Sequence, residues 1–249
     1  MTIGTRWARF RTKDGNLGFG TYTEAGILVH DGDLFGTAWP TGVHLPSGEF
    51  ILQSPCTPSK ILALWNNFHE LCAKLGKQPR SHPQFLIKPA TCVIGPGEAI
   101  KRPQGYAGKV VFEGELGIVI GAGAAIFGFT CVNDVTAIGI ISENAEFEQW
   151  CRAKGFDSFG CIGPVIATAL DLSALRVITR LNGDVRQDYS IADMVISPEE
   201  VVRRISGDMT LLPGDVIACG TSVGAGSMRD GSIVEVSIDG IGVLRNTFG

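Results

Sequence analysis

Apolar positions along this chain fall into short runs separated by polar, glycine-containing turns, a rhythm of strands more than of long helices. Residues 7–11, 19–22 and 26–30 read as strands, divided at Asp14-Gly15 and closed by Asp31-Gly32-Asp33. An Asp-Gly pair between apolar runs is a hairpin signal, so residues 1–57 form a small β segment. In residues 58–76 the spacing changes. Ile61, Leu62, Leu64, Trp65, Phe68, Leu71, Cys72 and Leu75 recur at helical intervals up to Gly76, which predicts a helix there. Residues 85–89 form a short strand and 94–97 a turn, and residues 109–120, rich in β-branched side chains, read as one strand.

A second apolar run, 126–132, ends in Asn133-Asp134, and 142–153 is expected to be helical with Glu143, Glu146 and Glu148 on a solvated face. Residues 162–167 form a strand, and 175–181 and 185–189 a hairpin around Asn182-Gly183. Ser197 before Pro198, with Glu199 and Glu200 following, marks the start of a helix over 197–206. Two strands around Asp239-Gly240 end the chain.

Composition supports this reading. Thirty-three glycines and 12 prolines in 249 residues imply many tight turns, hence a β-rich protein, and 45% hydrophobic with 18% charged residues places it among folded globular chains. A formal net charge of -4 without a Lys/Arg cluster argues against nucleic acid as a partner. The longest apolar stretch, 116–132, is broken by glycine and short for a membrane span, and residues 1–13 lack the apolar core of a secretion signal. Seven cysteines in apolar surroundings, with no C-x-x-C pair, read as reduced, buried small hydrophobes of a cytoplasmic protein with no zinc site.

The candidate chemistry begins at Glu113 and Glu115. On a strand, side chains at i and i+2 share a face, so two carboxylates project side by side. Groups that close repel unless a cation lies between them. With Asp134 as a third acid, the set suits a hard ion, Mg²⁺ or Mn²⁺ before Zn²⁺. The alternative is two solvent-facing glutamates on a half-exposed strand. Lys154 enters a glycine-flanked loop and either points into a site or is a surface lysine. The loop at 220–226 lacks a Gly-Lys-Ser/Thr ending, which excludes a nucleotide phosphate loop, although Gly220 amides and the Thr221 hydroxyl suit a carboxylate. His69 and Glu70 are adjacent, so they do not share a helix face, and a partly exposed structural histidine is the alternative to a catalytic one.

Six stretches together resemble the fumarylacetoacetate hydrolase family: Phe85-Leu86-Ile87-Lys88-Pro89, Phe112-Glu113-Gly114-Glu115-Leu116, Val132-Asn133-Asp134-Val135-Thr136-Ala137, Lys154-Gly155-Phe156-Asp157, Leu181-Asn182-Gly183, and Leu212-Pro213-Gly214-Asp215 through Gly220-Thr221. The resemblance implies an α+β, β-rich fold, a mixed β-sandwich-like roll with a few short helices. It also implies a metal-binding catalytic domain over 58–249 and, usually, a homodimer. Carried over, Glu113, Glu115 and Asp134 are ligands of Mg²⁺ (or Mn²⁺). Lys154, Gly220 and Thr221 match substrate-binding positions, and His69, near the histidine of a lid segment, is the candidate base with Glu70 beside it. Lys154 is also a candidate catalytic cation. Two departures stand out. Ala137 is followed by Ile138-Gly139 where the family often has an arginine, and Cys72 stands three residues after His69 where many members have a glutamate. Matching Asn67-Phe68 to the family's Asn-Tyr pair instead puts Leu71 at the histidine position.

The resemblance implies an enzyme acting on small 2-oxo or diketo acids. The leading expectation is Mg²⁺-dependent hydrolysis of a carbon–carbon bond in an acylpyruvate-like or β-diketo acid. A 2-oxo acid decarboxylase or an enol–keto isomerase/hydratase on the same metal site is the alternative. A non-catalytic protein binding a metal–oxoacid complex is the reading from another class.

Overall fold

The computed structural model describes residues 4–249; residues 1–3, where the stretch examined for a secretion signal begins, lie outside the described residues. The apolar runs become strands covered on both faces. In the strand Gly114–Ile120 every residue is buried. Leu116, Ile118 and Ile120 pack into the larger core, while Val119 joins a second cluster with Ile61, Val132, Ile166 and Val216. Burial on both sides is what a continuous apolar run requires, in place of the polar–apolar alternation of a half-exposed strand. This strand pairs antiparallel with Ile126–Asp134 and with Val216–Ala218, at the middle of a 12-stranded mixed sheet.

A second, five-stranded sheet contains the hairpin Arg176–Leu181 and Asp184–Ser190, then Ile233–Ile238 and Gly242–Phe248. Its Val177, Val234, Val236 and Leu244 share the larger core with Leu116, Ile118 and Val165 of the main sheet. Three short strands, Thr136–Ala137, Val110–Phe112 and Gly226–Met228, close one end. The result is a strand-rich roll with four short α-helices. Among the described residues, no helix is long and apolar enough to cross a membrane.

Several expectations hold. The hairpin turns at Asn182 (φ 53°) and Gly183 (φ 89°), both in the left-handed region. The late helix runs Pro198–Asp208, and the Ser197 hydroxyl accepts from the Glu200 N–H. Six of the seven cysteines are buried and Cys151 is exposed.

Three expectations fail. Residues 58–76 are not one helix. Lys60–Leu64 is a strand parallel to Val216–Ala218, and only His69–Lys74, here α1, is helical. The run Ile61 to Leu64 fits a strand buried on both faces as well as a helix, and sheet pairing decided. Residues 109–120 are two strands, Val110–Phe112 and Gly114–Ile120, in different sheets and broken at Glu113. Residues 142–153 are mostly irregular, with Ile138–Ile141 (α2) before them and Trp150–Lys154 (α3) at their end. The glutamate-rich stretch has no apolar face to dock. The N-terminal strands extend the main sheet, because Arg6–Thr12 pairs with Gly160–Ala167 through Arg6 and Trp7.

Asp215 fixes the entry to the central strands. Its buried carboxylate accepts from Ser59 N–H and Oγ and from the N–H groups of Lys60 and Leu212, and it pairs with the Lys60 ammonium. Burial alone would raise its pKa, but Lys60, Ser59 and Leu212 outweigh burial and hold it below the usual carboxylate range. The folded state therefore gains stability above the unfolded-chain pKa and loses it as pH falls through the depressed value. Asp215→Asn is expected to cost about 3 kcal/mol at pH 7. In denaturant unfolding, the gap from wild type should narrow below about pH 4.

Candidate metal centre

The break at Glu113 builds the site. Between the two strands, Gly114 is gripped on both sides of its backbone. Its N–H donates to Gln187 Oε1 at 3.0 Å, and its carbonyl accepts from Tyr189 OH at 2.6 Å and Thr221 Oγ1 at 3.0 Å. A Cβ at this position would lie 1.9 Å from Thr179 Oγ1, so only glycine admits the second sheet so close. Gln187 also donates to Thr221 Oγ1 at 2.7 Å. With Gly114 fixed, Glu113 and Glu115 are fixed on either side of it. Asn133 Oδ1 accepts the Glu113 N–H at 3.0 Å, which ties this joint to the end of the strand that carries Asp134.

Glu113, Glu115 and Asp134 converge, with one carboxylate oxygen from each lying within 4.8 Å of the others. Lys154, at the end of α3, reaches in from below. Its Nζ lies 2.6 Å from Glu113 Oε2 and 2.6 Å from Asp134 Oδ2. Lys88, on the strand Phe85–Pro89, is fully buried, pairs with the other oxygen of Asp134 and donates to the Phe159 carbonyl at 2.9 Å. Glu115 differs from the other two acids. Among the described residues it accepts only the Gly220 N–H, at 2.8 Å, and no side-chain cation pairs with it. Gly220 holds φ 90°, which favours glycine and turns this amide towards the carboxylate.

The electrostatics follow. Burial raises the Glu115 carboxyl well above its usual range, and the nearby Asp134 and Glu113 charges push the same way. Burial also raises Glu113, against the pull of Lys154. At Asp134 burial is outweighed by Lys154 and Lys88, so this carboxyl is lowered. Burial would depress Lys154, but Asp134, Glu113 and Glu115 prevail and keep its ammonium protonated. Three carboxylates thus face two ammonium groups, and the uncompensated acid is Glu115. A set of hard carboxylate oxygens with a buried acid lacking a counter-charge fits a divalent cation of the Mg²⁺ or Mn²⁺ type.

A cleft of about 210 Å³ opens onto Glu113 and Lys154. Thr221 lines it, though its hydroxyl is engaged with Gly114 and Gln187. Gly220 donates its N–H to Glu115, a candidate metal ligand, and does not line the cleft. His69 and Glu70 stand apart from this cluster. Both are exposed at the start of α1 and neither lines the cleft; the helix instead contributes Leu71, Lys74 and Leu75 to the wall. Their positions follow from helical geometry, since the buried Cys72 and its neighbour Leu71 dock this short helix with its first two residues outward. The register that places Leu71 at the family's histidine position is therefore the one that brings a residue to the cleft. Sequence reasoning gave no role to Lys88, Gln187, Tyr189 or Asn133. A lysine within the apolar run 85–89 was the available signal for the first.

Comparison with known proteins agrees with this geometry. Residues 60–249 match the family model described as fumarylacetoacetate (FAA) hydrolase C-terminal, and residues 5–55 match an Rv2993c-like N-terminal model. Protein Rv2993c of Mycobacterium tuberculosis is 38% identical over 95% of this chain and 92% of its own length. Oxaloacetate tautomerase YisK of Bacillus subtilis is 32% identical over 81% of this chain and 74% of its own. Among solved structures, 2-hydroxyhepta-2,4-diene-1,7-dioate isomerase from Mycobacterium marinum superposes with a TM-score of 0.87, at 33% identity, covering 98% of each chain.

Because Glu115 must lose its proton for a cation to bind, affinity for Mn²⁺ or Mg²⁺ should fall as pH is lowered, with protons released on binding. Calorimetry in buffers of different ionisation enthalpy checks this. Glu115→Gln is expected to weaken binding by more than the ~10–100-fold typical of outer-shell changes.

Proposed function

The chain belongs to the fumarylacetoacetate hydrolase family, and on that premise we propose that it is a divalent-metal-dependent enol–keto isomerase (tautomerase) of a small 2-oxo acid. The observation that carries this reading is the composition of the cleft wall. The titratable side chains lining it are Lys74, Glu113 and Lys154, with no histidine among them. Hydrolytic cleavage of a carbon–carbon bond needs a group that takes a proton from water, and the expected candidates, His69 and Glu70, face solvent elsewhere. Enol–keto exchange consumes no water: the enol oxygen gives its proton to solvent in the cleft and the neighbouring carbon takes one from solvent, so the substrate's composition is unchanged. The chief demand is stabilisation of negative charge on one oxygen.

Glu113, Glu115 and Asp134 would hold the divalent ion, which supplies Lewis-acid polarisation of a chelating carboxylate and keto oxygen. Lys154, kept as an ammonium against burial by Asp134, Glu113 and Glu115, lines the cleft, where it favours the enolate form of the substrate oxygen. Lys88 holds Asp134 so that Lys154 can lie between Asp134 and Glu113 without a second acid swinging away. Trp65 and Trp150, edge to face at 6.1 Å, with Leu71 and Leu86, form the apolar part of the cleft wall. The tautomerase and isomerase among the relatives are named for reactions of this class. Decarboxylation of a β-keto acid draws on the same stabilised enolate and is the second reading, supported by Lys154 in the same place.

Turnover should be followed with oxaloacetate and with an acylpyruvate, each with Mg²⁺ or Mn²⁺ and with excess chelator, monitoring enol absorbance and products together. Chelator-sensitive enol–keto interconversion without new acids is expected. Lys154→Met should lower kcat by about 10²–10³-fold, and His69→Ala should leave the rate unchanged. Release of pyruvate plus a second acid would overturn the isomerase reading in favour of the hydrolase, and CO₂ release in favour of the decarboxylase.

A further inference from the structure

One peptide group stands between a buried asparagine and Glu115. At one end of it the Gly220 N–H donates to Glu115 Oε2 at 2.8 Å. At the other end the Cys219 carbonyl accepts from Asn67 Nδ2 at 3.1 Å. A peptide group is planar, and this one is trans, so its C=O and N–H point in opposite directions within one rigid plane. A grip on the oxygen therefore sets the direction of the hydrogen. A donor on the carbonyl also polarises the peptide, which strengthens its N–H as a donor in turn.

Asn67 is itself held before it reaches this peptide. It is 3% exposed, its Oδ1 accepts the Ile196 N–H at 3.0 Å, and its Nδ2 also donates to the Ile196 carbonyl at 3.3 Å. Its own carbonyl accepts the Val195 N–H at 2.9 Å. The next residue, Phe68, is fully buried and meets Tyr189 edge to face, with ring centroids 4.9 Å apart. Tyr189 in turn donates to the Gly114 carbonyl, between the two glutamates.

This bonding suits asparagine, which offers two donors and an acceptor on one short planar group. An ionised aspartate would offer no donor to either carbonyl, and an apolar side chain would leave both unpaired. Residue 220 cannot hold the peptide by itself. Glycine permits the φ of 90° found there but does not impose it. The orientation must come from a neighbour, and Asn67 is the side chain that grips the carbonyl end.

We propose that Asn67 is a positioning residue for the metal centre. It holds the Cys219–Gly220 peptide so that the Gly220 N–H stays on Glu115 Oε2, which fixes the carboxylate and leaves Oε1 for a cation. It acts through the peptide and touches neither the ion nor the substrate. The effect on affinity rests on the metal-dependent reading above, whereas the hold on the peptide does not.

Mn²⁺ affinity should be measured by calorimetry, and hydrogen exchange of the Gly220 amide by NMR in metal-free protein. Asn67→Ala removes the grip, and Asn67→Ser, which keeps a buried hydroxyl, guards against a folding failure. Asn246→Ala is the matched control. Asn246 is also buried, its Nδ2 bridges the Gly95 and Glu98 carbonyls at 2.9 Å each, and it lies in the second sheet without lining the cleft. Thermal melting establishes that each variant is folded. The Asn67 variants should bind Mn²⁺ about tenfold more weakly and exchange the Gly220 amide faster, while Asn246→Ala should do neither. Unchanged affinity in the Asn67 variants, or an equal loss in Asn246→Ala, would overturn the proposal. If the wild type binds no Mn²⁺, the metal reading fails on its own and exchange decides the positioning role. Faster exchange at Gly220 in the Asn67 variants alone then supports it, and unaltered exchange overturns it.

Discussion

The interaction on which the rest depends is the charge cluster of half-buried Glu113 with the buried Glu115, Asp134, Lys88 and Lys154. Each buried ion carries a desolvation penalty of roughly several kcal/mol, so the cluster is tolerable only with close pairing and shared hydrogen bonds. Lys88 and Lys154 satisfy Asp134 from two sides, and Lys154 reaches Glu113 as well. Glu115 is left with a single backbone donor. This imbalance is where a divalent cation would gain affinity, and metal binding there would be coupled to proton release.

Holding such a cluster requires elements from distant parts of the chain. Lys88 comes from a strand next to the first parallel pair, Asp134 from the end of a central strand, and Lys154 from a helix of five residues. The second sheet contributes Gln187 and Tyr189, which never reach the carboxylates but hold Gly114 between them. The absence of a side chain at Gly114 lets the two sheets approach, and that approach sets the spacing of the two glutamates. Core packing and site geometry are here the same constraint.

Function follows from what surrounds the cluster. The three acids that match the family's metal ligands converge, while α1 gives the cleft leucine and lysine side chains and leaves its histidine outside. A protonated lysine in the cleft would favour an enolate oxygen and cannot itself take a proton from water. The proposed isomerase chemistry needs only the former.

By itself the sequence determined the strand-rich class, the Asn182-Gly183 hairpin, the capped helix after Ser197 and the three acids, because these depend on local backbone preferences or on short motifs. It could not determine whether residues 58–76 were helix or strand, since a buried apolar run satisfies either period until a neighbouring strand pairs with it. Nor could it show that Glu113 stands at a joint between sheets, that Lys88 is buried against Asp134, or that Leu71 and not His69 reaches the cleft. Those facts rest on contacts between residues far apart in the chain and on the face by which a short helix docks. Only the tertiary structure decided them.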